Sequence, residues 1–465
     1  MPLILSGNVA SATADAGYTV ANSCRFNSAD SAELHKTPGS AGNLDAWTLS
    51  FWFKRSNISG AGATSYQALY GVYADANNQE ILGIQDDDKI YWQLYQSGSV
   101  VGQLTTNRVF RDVSAWYNIV ISYDSANGTA GNRMRMWING TEETSFSTDT
   151  NPSSGQDSQW NGTTKHQIGM ITTTNKFDGY LAEVVSLDGT AVTDATNFGE
   201  FDSDSPTIWK PIDVSGLTFG TNGFYLDFED SADLGADVSG NSNDFTVDNL
   251  AATDQATDTP TNNFCTLNPL YRSYDNDTVF SEGNLKASWG SSSDRGYGMS
   301  TIGVTSGKWY CEVKAIDKGR LYLGVGDGNF LAGQSVPVWQ PDPSNGIAIN
   351  INTGNMEYNG STVNTSYGTG ASDDDIIQIA LDMDNYLLWF GINNTWMNSA
   401  TEAEIENSTA TNDVTTAIGT QNIINNGDPV NIFALDGSTS GTSDAEFNFG
   451  NPPYANTSDA ADDNG

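Results

Sequence analysis

Short runs in which apolar and polar residues alternate are the feature that most constrains the fold of this chain. They occur at residues 48–54 (TLSFWFK), 116–124 (WYNIVISYD) and 133–139 (RMRMWIN), and Gly, Asn, Asp and Ser separate such runs along the chain. Successive side chains of a β-strand point to opposite faces, so each run presents one apolar face. Apolar residues at helical spacing are nearly absent, and an all-β chain is therefore predicted.

Amphipathic strands of this kind need a second sheet to cover their apolar faces. Two antiparallel sheets packed about 10 Å apart satisfy that need, which predicts a β-sandwich (jelly roll) over residues 15–205. The same alternation resumes at residues 307–314 (GKWYCEVK), 376–384 (IIQIALDMD) and 387–394 (LLWFGINN). A second antiparallel β-sandwich is therefore predicted over residues 284–455.

The alternation weakens between the two blocks, over residues 206–283. Residues 217–228 (LTFGTNGFYLDF) predict a strand pair, whereas residues 229–258 carry many acidic and small residues and few apolar ones. This composition predicts an acidic irregular linker, with an ordered loop packed across both sandwiches as the alternative. Residues 1–14 are predicted to be an N-terminal arm and residues 456–465 an acidic tail.

The charge of the chain restricts its partners. In 465 residues, 19 Lys and Arg stand against 57 Asp and Glu, giving a formal net charge of −38. Because nucleic-acid binding draws its affinity from Lys and Arg, nucleic acid is not expected as a partner. No apolar stretch approaches the roughly 18 residues that span a bilayer, so membrane insertion is not expected either. The cysteines and histidines show no metal or redox spacing.

Four strand motifs follow one another across the first block: residues 47–55 (WTLSFWFKR), 116–124 (WYNIVISYD), 136–140 (MWING) and 177–184 (FDGYLAEV). In order and spacing they resemble the concanavalin A-like lectin/glucanase superfamily, in its laminin-G-like form. The resemblance implies a jelly-roll sandwich.

The second block contains residues 307–313 (GKWYCEV), 323–326 (LGVG), 375–382 (DIIQIALD) and 388–393 (LWFGIN). Together these motifs resemble a SPRY domain, which implies a second antiparallel sandwich. Fold alone does not determine whether such a domain binds protein or glycan.

The pairing of the two blocks, with the joining stretch of residues 235–269, resembles virion structural proteins of tailed phages that infect marine bacteria, including cyanophages. The resemblance implies a non-enzymatic tail-fibre, head-fibre or capsid-decorating protein, assembled in the host cytoplasm and displayed on the exterior of the virion. Its implied partners are other virion proteins, further copies of itself, and a host-surface glycan or receptor. The alternatives are a purely structural decoration protein and a polysaccharide-degrading enzyme on a lectin-like fold.

Carbohydrate recognition combines aromatic faces with planar amides, and the chain is rich in both. The predicted glycan-binding residues are the tryptophans expected in loops or pointing outward, with one neighbouring amide: Trp92, Trp160, Asn161, Trp339 and Trp396. The alternative for each tryptophan is packing in the core or at an interface.

No catalytic or metal-binding residues are predicted. The resemblance would place hydrolytic carboxylates on one strand as Glu-x-Asp-x-Glu, and neither residues 227–230 nor residues 142–143 have that spacing. No cofactor is expected, with calcium as the alternative. Residues 86–88 and 373–375 are aspartate runs, but one turn cannot surround a calcium ion, so both are predicted to be solvated turn charge.

Overall fold

The computed structural model describes residues 17–58, 66–272, 278–290, 296–327, 346–358, 361–414, 427–437 and 441–451. The chain divides into two compact units, Met1–Asn263 and Phe264–Gly465. Antiparallel strands dominate both units, which confirms the predicted all-β class. Within the described ranges the helices are α1 (Glu402–Glu406) and short 3₁₀ turns at Ala130–Asn132, Ala252–Asp254, Glu282–Asn284 and Met397–Ser399. None of these helices is long and apolar enough to cross a membrane.

The first unit contains two eight-stranded sheets and two short hairpins. Its strands are β1 (Ser23–Phe26), β2 (Glu33–Lys36), β3 (Ala46–Arg55), β4 (Tyr66–Asp75), β5 (Asn78–Gln85), β6 (Lys89–Gln96), β7 (Ser99–Val109), β8 (Tyr117–Asp124), β9 (Met134–Ile138), β10 (Thr141–Glu142), β11 (Phe146–Thr150), β12 (His166–Ile168), β13 (Met170–Ile171), β14 (Asn175–Lys176), β15 (Gly179–Asp188), β16 (Gly199–Phe201), β17 (Trp209–Pro211), β18 (Phe224–Leu226), β19 (Thr246–Asp248) and β20 (Gln255–Ala256). One sheet has the order β10-β9-β8-β3-β15-β1-β20, with β18 also on β15, and the other has the order β11-β7-β6-β5-β4-β12-β2-β19.

The inner faces of these two sheets form one core. Phe51 and Phe53 of β3, as the alternation predicts, are buried in it together with Leu82 and Leu94 of the other sheet. Burying one such side chain stabilises the fold by roughly 1.5–3 kcal/mol. The outer face of the first sheet is covered too, because Trp52 packs there in a second buried cluster with side chains of the segment that follows β15.

The structure corrects the prediction for residues 206–283, which were expected to form a strand pair followed by an acidic irregular linker over residues 229–258. Most of this segment belongs to the first unit, where β18 pairs with β15, β19 with β2 and β20 with β1. The unit ends at Asn263, so the predicted domain boundary at residue 205 lies inside it. Several of the acidic side chains accept hydrogen bonds from backbone N–H groups in turns, as Asp227, Asp230 and Asp237 do. These acidic residues therefore belong to the turns of a folded segment.

The second unit contains two seven-stranded sheets. Its strands are β21 (Leu267–Arg272), β22 (Thr278–Ser281), β23 (Lys286–Trp289), β24 (Tyr297–Ser300), β25 (Lys308–Asp317), β26 (Leu321–Asp327), β27 (Gly346–Asn350), β28 (Asn355–Tyr358), β29 (Ser361–Asn364), β30 (Ile376–Asp382), β31 (Leu387–Ile392), β32 (Thr395–Trp396), β33 (Val430–Asp436) and β34 (Ser443–Asn448). The sheet orders are β21-β24-β33-β26-β27-β28-β29 and β22-β23-β34-β25-β30-β31-β32.

The core of the second unit contains the side chains that the alternation assigns to one face, including Cys311, Val313, Ile379 and Phe390. Two strands, β21 and β22, precede the predicted domain start at residue 284. The predicted arm of residues 1–14 and the predicted tail of residues 456–465 lie outside the described residues.

Candidate functional site

The outer face of the second sheet of the first unit carries a group of tyrosine and glutamine side chains. Four neighbouring strands, β4 to β7, build it, and their register places Tyr73, Gln79 and Tyr95 in one row across the sheet. The next row contains Ile81, Gln93 and Gln103. We call this surface the tyrosine–glutamine face, defined by the partly exposed residues Tyr66, Tyr73, Gln79, Gln93, Tyr95 and Gln103.

The orientation of these side chains follows from the two-residue period of β6. Ile90, Trp92 and Leu94 are buried in the core between the sheets. Tyr91 lies in a separate cluster on the opposite side, with Tyr66 packed against it. Because alternate residues of a strand point to opposite faces, Gln93 and Tyr95 share the outer side with Tyr91.

Amide groups occupy the middle of the face. The Gln93 Nε2 atom donates a hydrogen bond of 2.9 Å to Gln103 Oε1. Gln103 Nε2 in turn donates a bond of 3.0 Å to Thr105 Oγ1. The Gln79 amide makes no hydrogen bond to any described residue, so its donor and acceptor groups are free for a ligand. The side chains of Gln79, Gln93 and Gln103 are partly exposed, whereas Thr105 is buried.

Tyrosines occupy both ends of the face. At one end the Tyr66 and Tyr91 rings meet edge to face with centroids 5.2 Å apart. Burial raises the pKa of both hydroxyl groups, so both stay protonated at neutral pH and can donate hydrogen bonds. At the other end the Tyr95 hydroxyl donates a bond of 2.8 Å to the Gly98 carbonyl oxygen, which orients that ring.

One side of the face is bounded by the hairpin β13–β14. Ile171 of this hairpin lies over Gly71 of β4, where an added Cβ would come within 1.8 Å of Ile171 Cδ1. Tyr66 interacts with Asn175 of the same hairpin. The missing side chain at Gly71 therefore admits the hairpin. Its Ile171 packs in one buried cluster with Ile81 and Tyr91, which is only 4% exposed, so the hairpin covers both residues and forms a wall beside the exposed part of the face.

Two of the predicted glycan-binding tryptophans do not point outward, and that prediction is wrong. Trp92 and Trp160 are both 0% exposed. The Trp92 indole N–H donates a bond of 3.1 Å to the buried Glu80 carboxylate. Trp160 packs between Trp47 and Tyr70, with ring centroids 4.8 and 4.4 Å away. Their large apolar rings complete the core, so neither offers a face to a ligand.

Asn161 lies at a small cleft of about 10 Å³ that is also lined by Lys36, Tyr70 and Phe224. Asn161 has φ of +61°, and its Nδ2 atom donates a bond of 3.1 Å to the Asp188 carboxylate. The cleft presents little surface, because Tyr70 is only 1% and Phe224 only 3% exposed. The tyrosine–glutamine face is the more accessible surface and is therefore the stronger candidate site.

The two remaining predicted residues belong to the second unit. Trp396 is partly buried against the cluster that contains Leu387 and Trp389. Trp339 lies outside the described residues. None of the five predicted residues is among those that define the tyrosine–glutamine face.

The aspartate run of residues 86–88 is not simply solvated turn charge. Asp86 and Asp87 are exposed, but Asp88 is 3% exposed. Its carboxylate accepts bonds of 3.0 Å from Arg55 Nη1 and 2.5 Å from Arg111 Nε. Across the described ranges, no group of three or more His, Cys, Asp or Glu side chains is placed to share a metal ion.

Residues 26–195 match the family model described as the concanavalin A-like lectin/glucanases superfamily. This part of the first unit is similar to a concanavalin A-like lectin/laminin G domain. We therefore refer to Met1–Asn263 as the lectin-like unit. All residues of the tyrosine–glutamine face lie inside the matched region, whereas β16 to β20 lie beyond it. The comparison with curated proteins finds no match.

The comparison with solved structures finds, among others, the following three matches. The SPRY domain of human HERC1 is 18% identical, with 39% of this chain and 96% of that chain covered and a TM-score of 0.28. A heptameric SAP-like pentraxin from Limulus polyphemus is 14% identical over 38% of this chain and 80% of its own, with a TM-score of 0.27. A Bacteroides ovatus protein to which carbohydrate binding is provisionally assigned is 14% identical over 50% of this chain and 61% of its own, with a TM-score of 0.31.

Proposed function

We propose that the lectin-like unit binds a surface glycan through the tyrosine–glutamine face and does not cleave it. The observation that carries this proposal is the arrangement of partly exposed aromatic rings and amide groups on one sheet face of a lectin-like fold. Aromatic faces pack against sugar C–H groups, and amides bind pairs of hydroxyl groups. The β-strands hold these side chains in place before the ligand arrives, which reduces the entropy lost on binding.

Two features support binding without hydrolysis. Glycoside hydrolysis usually requires two carboxyl groups across the scissile bond, and the side chains that define the face are tyrosines and glutamines. Burial raises the pKa of Tyr66 and of the underlying Tyr91, so these two hydroxyl groups keep their protons at neutral pH. The proposed activity needs no cofactor.

We further propose that the chain is a virion component of a tailed phage, displayed on the particle exterior in several copies beside other virion proteins. The support is the resemblance of the two blocks and their joining stretch to such proteins. Several copies suit a shallow binding face, because multivalent display raises avidity by about 10²–10⁴ when the geometry allows simultaneous contact. Immunogold labelling of intact particles checks this role, and particles that lack the chain would contradict it.

Gln93→Ala tests the proposed binding face. Gln93 lies at its centre and bonds to Gln103, so we expect the full-length variant to bind its glycan at least about tenfold more weakly, a loss of about 1.4 kcal/mol. A glycan array identifies the ligand, and isothermal titration calorimetry measures its Kd. The matched control is Gln156→Ala, which removes a partly exposed amide bonded to Gln96 away from the face. Equal binding by the two variants would contradict the proposal.

A further inference from the structure

We propose that Lys54 and Asn263 are the site of a covalent modification, an intramolecular amide (isopeptide) bond between the two side chains, with Asp258 as its catalytic proton carrier. The inference goes beyond glycan binding and does not depend on it. It follows from the way the fold brings these three side chains together, from the exclusion of water around them, and from the charge balance of the reaction.

Strand β3 and the segment that follows β20 supply the three side chains. Lys54 is the penultimate residue of β3, whereas Asp258 and Asn263 lie in the segment that ends the lectin-like unit. Lys54 and Asn263 are 209 positions apart in the chain. Ser23 of β1 fixes the segment in place, because its hydroxyl donates a bond of 2.6 Å to the main-chain carbonyl oxygen of Asp258. The folded unit therefore places a lysine amine beside an amide and a carboxylate that are remote in sequence.

The atoms that would react lie close to one another. Lys54 Nζ is 2.6 Å from Asp258 Oδ2 and 2.8 Å from Asn263 Oδ1. A carbonyl bond is about 1.23 Å long, so Nζ lies no more than about 4 Å from Asn263 Cγ. A small rotation of the amide brings these two atoms to the roughly 3–3.5 Å from which a nucleophile attacks. The nitrogen of the same amide is oriented by Ser114, whose carbonyl oxygen accepts a bond of 2.8 Å from Asn263 Nδ2.

The surroundings of the amine and the carboxylate exclude water. The side chains of Lys54 and Asp258 are 1% and 0% exposed. The centroid of the buried Tyr180 ring lies 5.9 Å from Lys54 Nζ. Trp116 Nε1 donates a bond of 2.9 Å to Asp258 Oδ1, which orients the carboxylate so that its other oxygen faces the amine. Because water is excluded, hydrolysis of the Asn263 amide does not compete with attack by the amine.

The reaction balances without a co-reactant. A proton passes from Lys54 Nζ to Asp258 Oδ2, and the neutral amine attacks Asn263 Cγ. The Nζ–Cγ bond forms and the Cγ–Nδ2 bond breaks, while Asp258 transfers one proton from Nζ to the departing nitrogen. An ammonium, a carboxylate and a primary amide thereby become a secondary amide, a carboxylic acid and ammonia.

Burial favours these products. Two opposite charges are buried before the reaction and none afterwards, so the cost of keeping charged groups away from water is removed. Asn263 is partly exposed, which gives the ammonia a route to solvent. The ion pair is the resting state and only the neutral amine attacks, so the bond forms gradually in the folded protein. Freshly purified protein therefore carries the ion pair, and aged protein carries the bond.

The test follows the intact mass of the denatured full-length protein over days of incubation at neutral pH. We expect a species lighter by one ammonia to accumulate and, after proteolysis, a branched peptide that joins residues of β3 to residues around Asn263. The branched peptide is decisive, because ring closure at an Asn-Gly pair such as Asn139-Gly140 also releases ammonia but joins no two peptides. Protein incubated in urea should yield no branched peptide, because the reaction requires the folded arrangement.

Three variants assign the roles of the residues. Asn263→Ala removes the carbon that is attacked, and Asp258→Asn removes the proton acceptor but keeps the shape of the side chain, so neither should yield the branched peptide. Asn262→Ala is the matched control, because it removes the exposed amide next in the chain and should convert as the parent does. A parent protein without the branched peptide, or a branched peptide in Asn263→Ala, would overturn the inference. Unchanged conversion of Asp258→Asn would overturn the catalytic role of Asp258.

Discussion

Asp258→Ala is expected to lower the free energy of unfolding of the lectin-like unit by about 3–5 kcal/mol. Asp258 Oδ2 lies 2.6 Å from Lys54 Nζ, and the two side chains are 0% and 1% exposed. Trp116 Nε1 also donates a bond of 2.9 Å to the other carboxylate oxygen. Without the carboxylate, the Lys54 ammonium stays buried among neutral groups, which include Asn263 Oδ1 at 2.8 Å and the Tyr180 ring, whose centroid is 5.9 Å away. An uncompensated buried charge is among the most costly single defects in a protein core.

Urea unfolding of the full chain measures the loss of unfolding free energy. Hydrogen exchange of peptides from β1, β3 and β20 then shows whether the loss occurs in the lectin-like unit. Peptides of the second unit should keep their protection, because Asp258 and Lys54 both belong to the lectin-like unit. The matched control is Glu229→Ala, which removes the same charge from an exposed position of the same segment and should cost less than about 0.5 kcal/mol. Equal stability of the two variants would contradict the prediction that the ion pair between Asp258 and Lys54 stabilises the packing of this segment on the sandwich.

The same ion pair shows why the segment around Asp258 could not be predicted from its sequence. Strands such as β18 and β20 contain only three and two residues, too few for a two-residue period to be recognised. Their pairing partners β15 and β1 lie far away in the chain. Acidic composition normally indicates a solvated linker, and only the folded structure shows that Asp258 meets a buried lysine.

The strand pattern predicted the core well and the binding residues poorly. For β3, alternation correctly places Phe51 and Phe53 inside, but it does not reveal that the outer residue Trp52 is also covered. For β6 (KIYWQLYQ), the large aromatic Trp92 is inside and its neighbours Tyr91 and Gln93 are outside. A shift of one residue exchanges the two faces of a strand, so the period alone does not show which set meets the core.

The sequence of β6 therefore shows which of its residues share one side of the strand, but it does not show that residues of four strands form one surface. The alternate residues Tyr91, Gln93 and Tyr95 could have been recognised as one polar face of a strand. Their contacts with Tyr73, Gln79 and Gln103 depend on the register of β4, β5 and β7, which hydrophobic alternation does not specify. The wall formed by the hairpin β13–β14 depends on a contact between Ile171 and Gly71, which no local signal indicates.

The second prediction with a large expected effect concerns Glu183, a buried carboxyl group on the other sheet, and the dependence of stability on pH. Glu183 is 5% exposed, has φ of +52°, and lies at a register shift between β15 and β3. Tyr225 donates hydrogen bonds of 3.0 and 2.9 Å to its two oxygens, and Tyr18 donates one of 3.1 Å. Burial raises the pKa of Glu183 to about 7 although these bonds lower it, and the negative charges of Asp227 and Glu229 raise it further.

The direction of the pH effect follows from this pKa. In the unfolded chain a glutamate titrates near 4.3, so the folded state holds the proton more tightly than the unfolded state does. The stabilisation is fully present below that pH and is lost as the pH rises through about 7. The loss corresponds to about 3 kcal/mol at pH 8.

Glu183→Gln should remove this dependence, because a glutamine keeps the shape and hydrogen-bonding capacity of the protonated side chain. We expect the variant and the parent protein to have similar Tm values at pH 5, and the variant to be more stable by up to about 3 kcal/mol at pH 8. The measured quantity is the difference in Tm between the two proteins at each pH, since the repulsion within a chain of net charge −38 affects both alike. Asp86→Asn, at an exposed position whose charge is not among those that shift the pKa of Glu183, should show the same small difference at both pH values. If the Glu183→Gln difference were also equal at the two pH values, the buried carboxyl would not exchange its proton in this range, and the cluster with Tyr18 and Tyr225 would hold one charge state throughout.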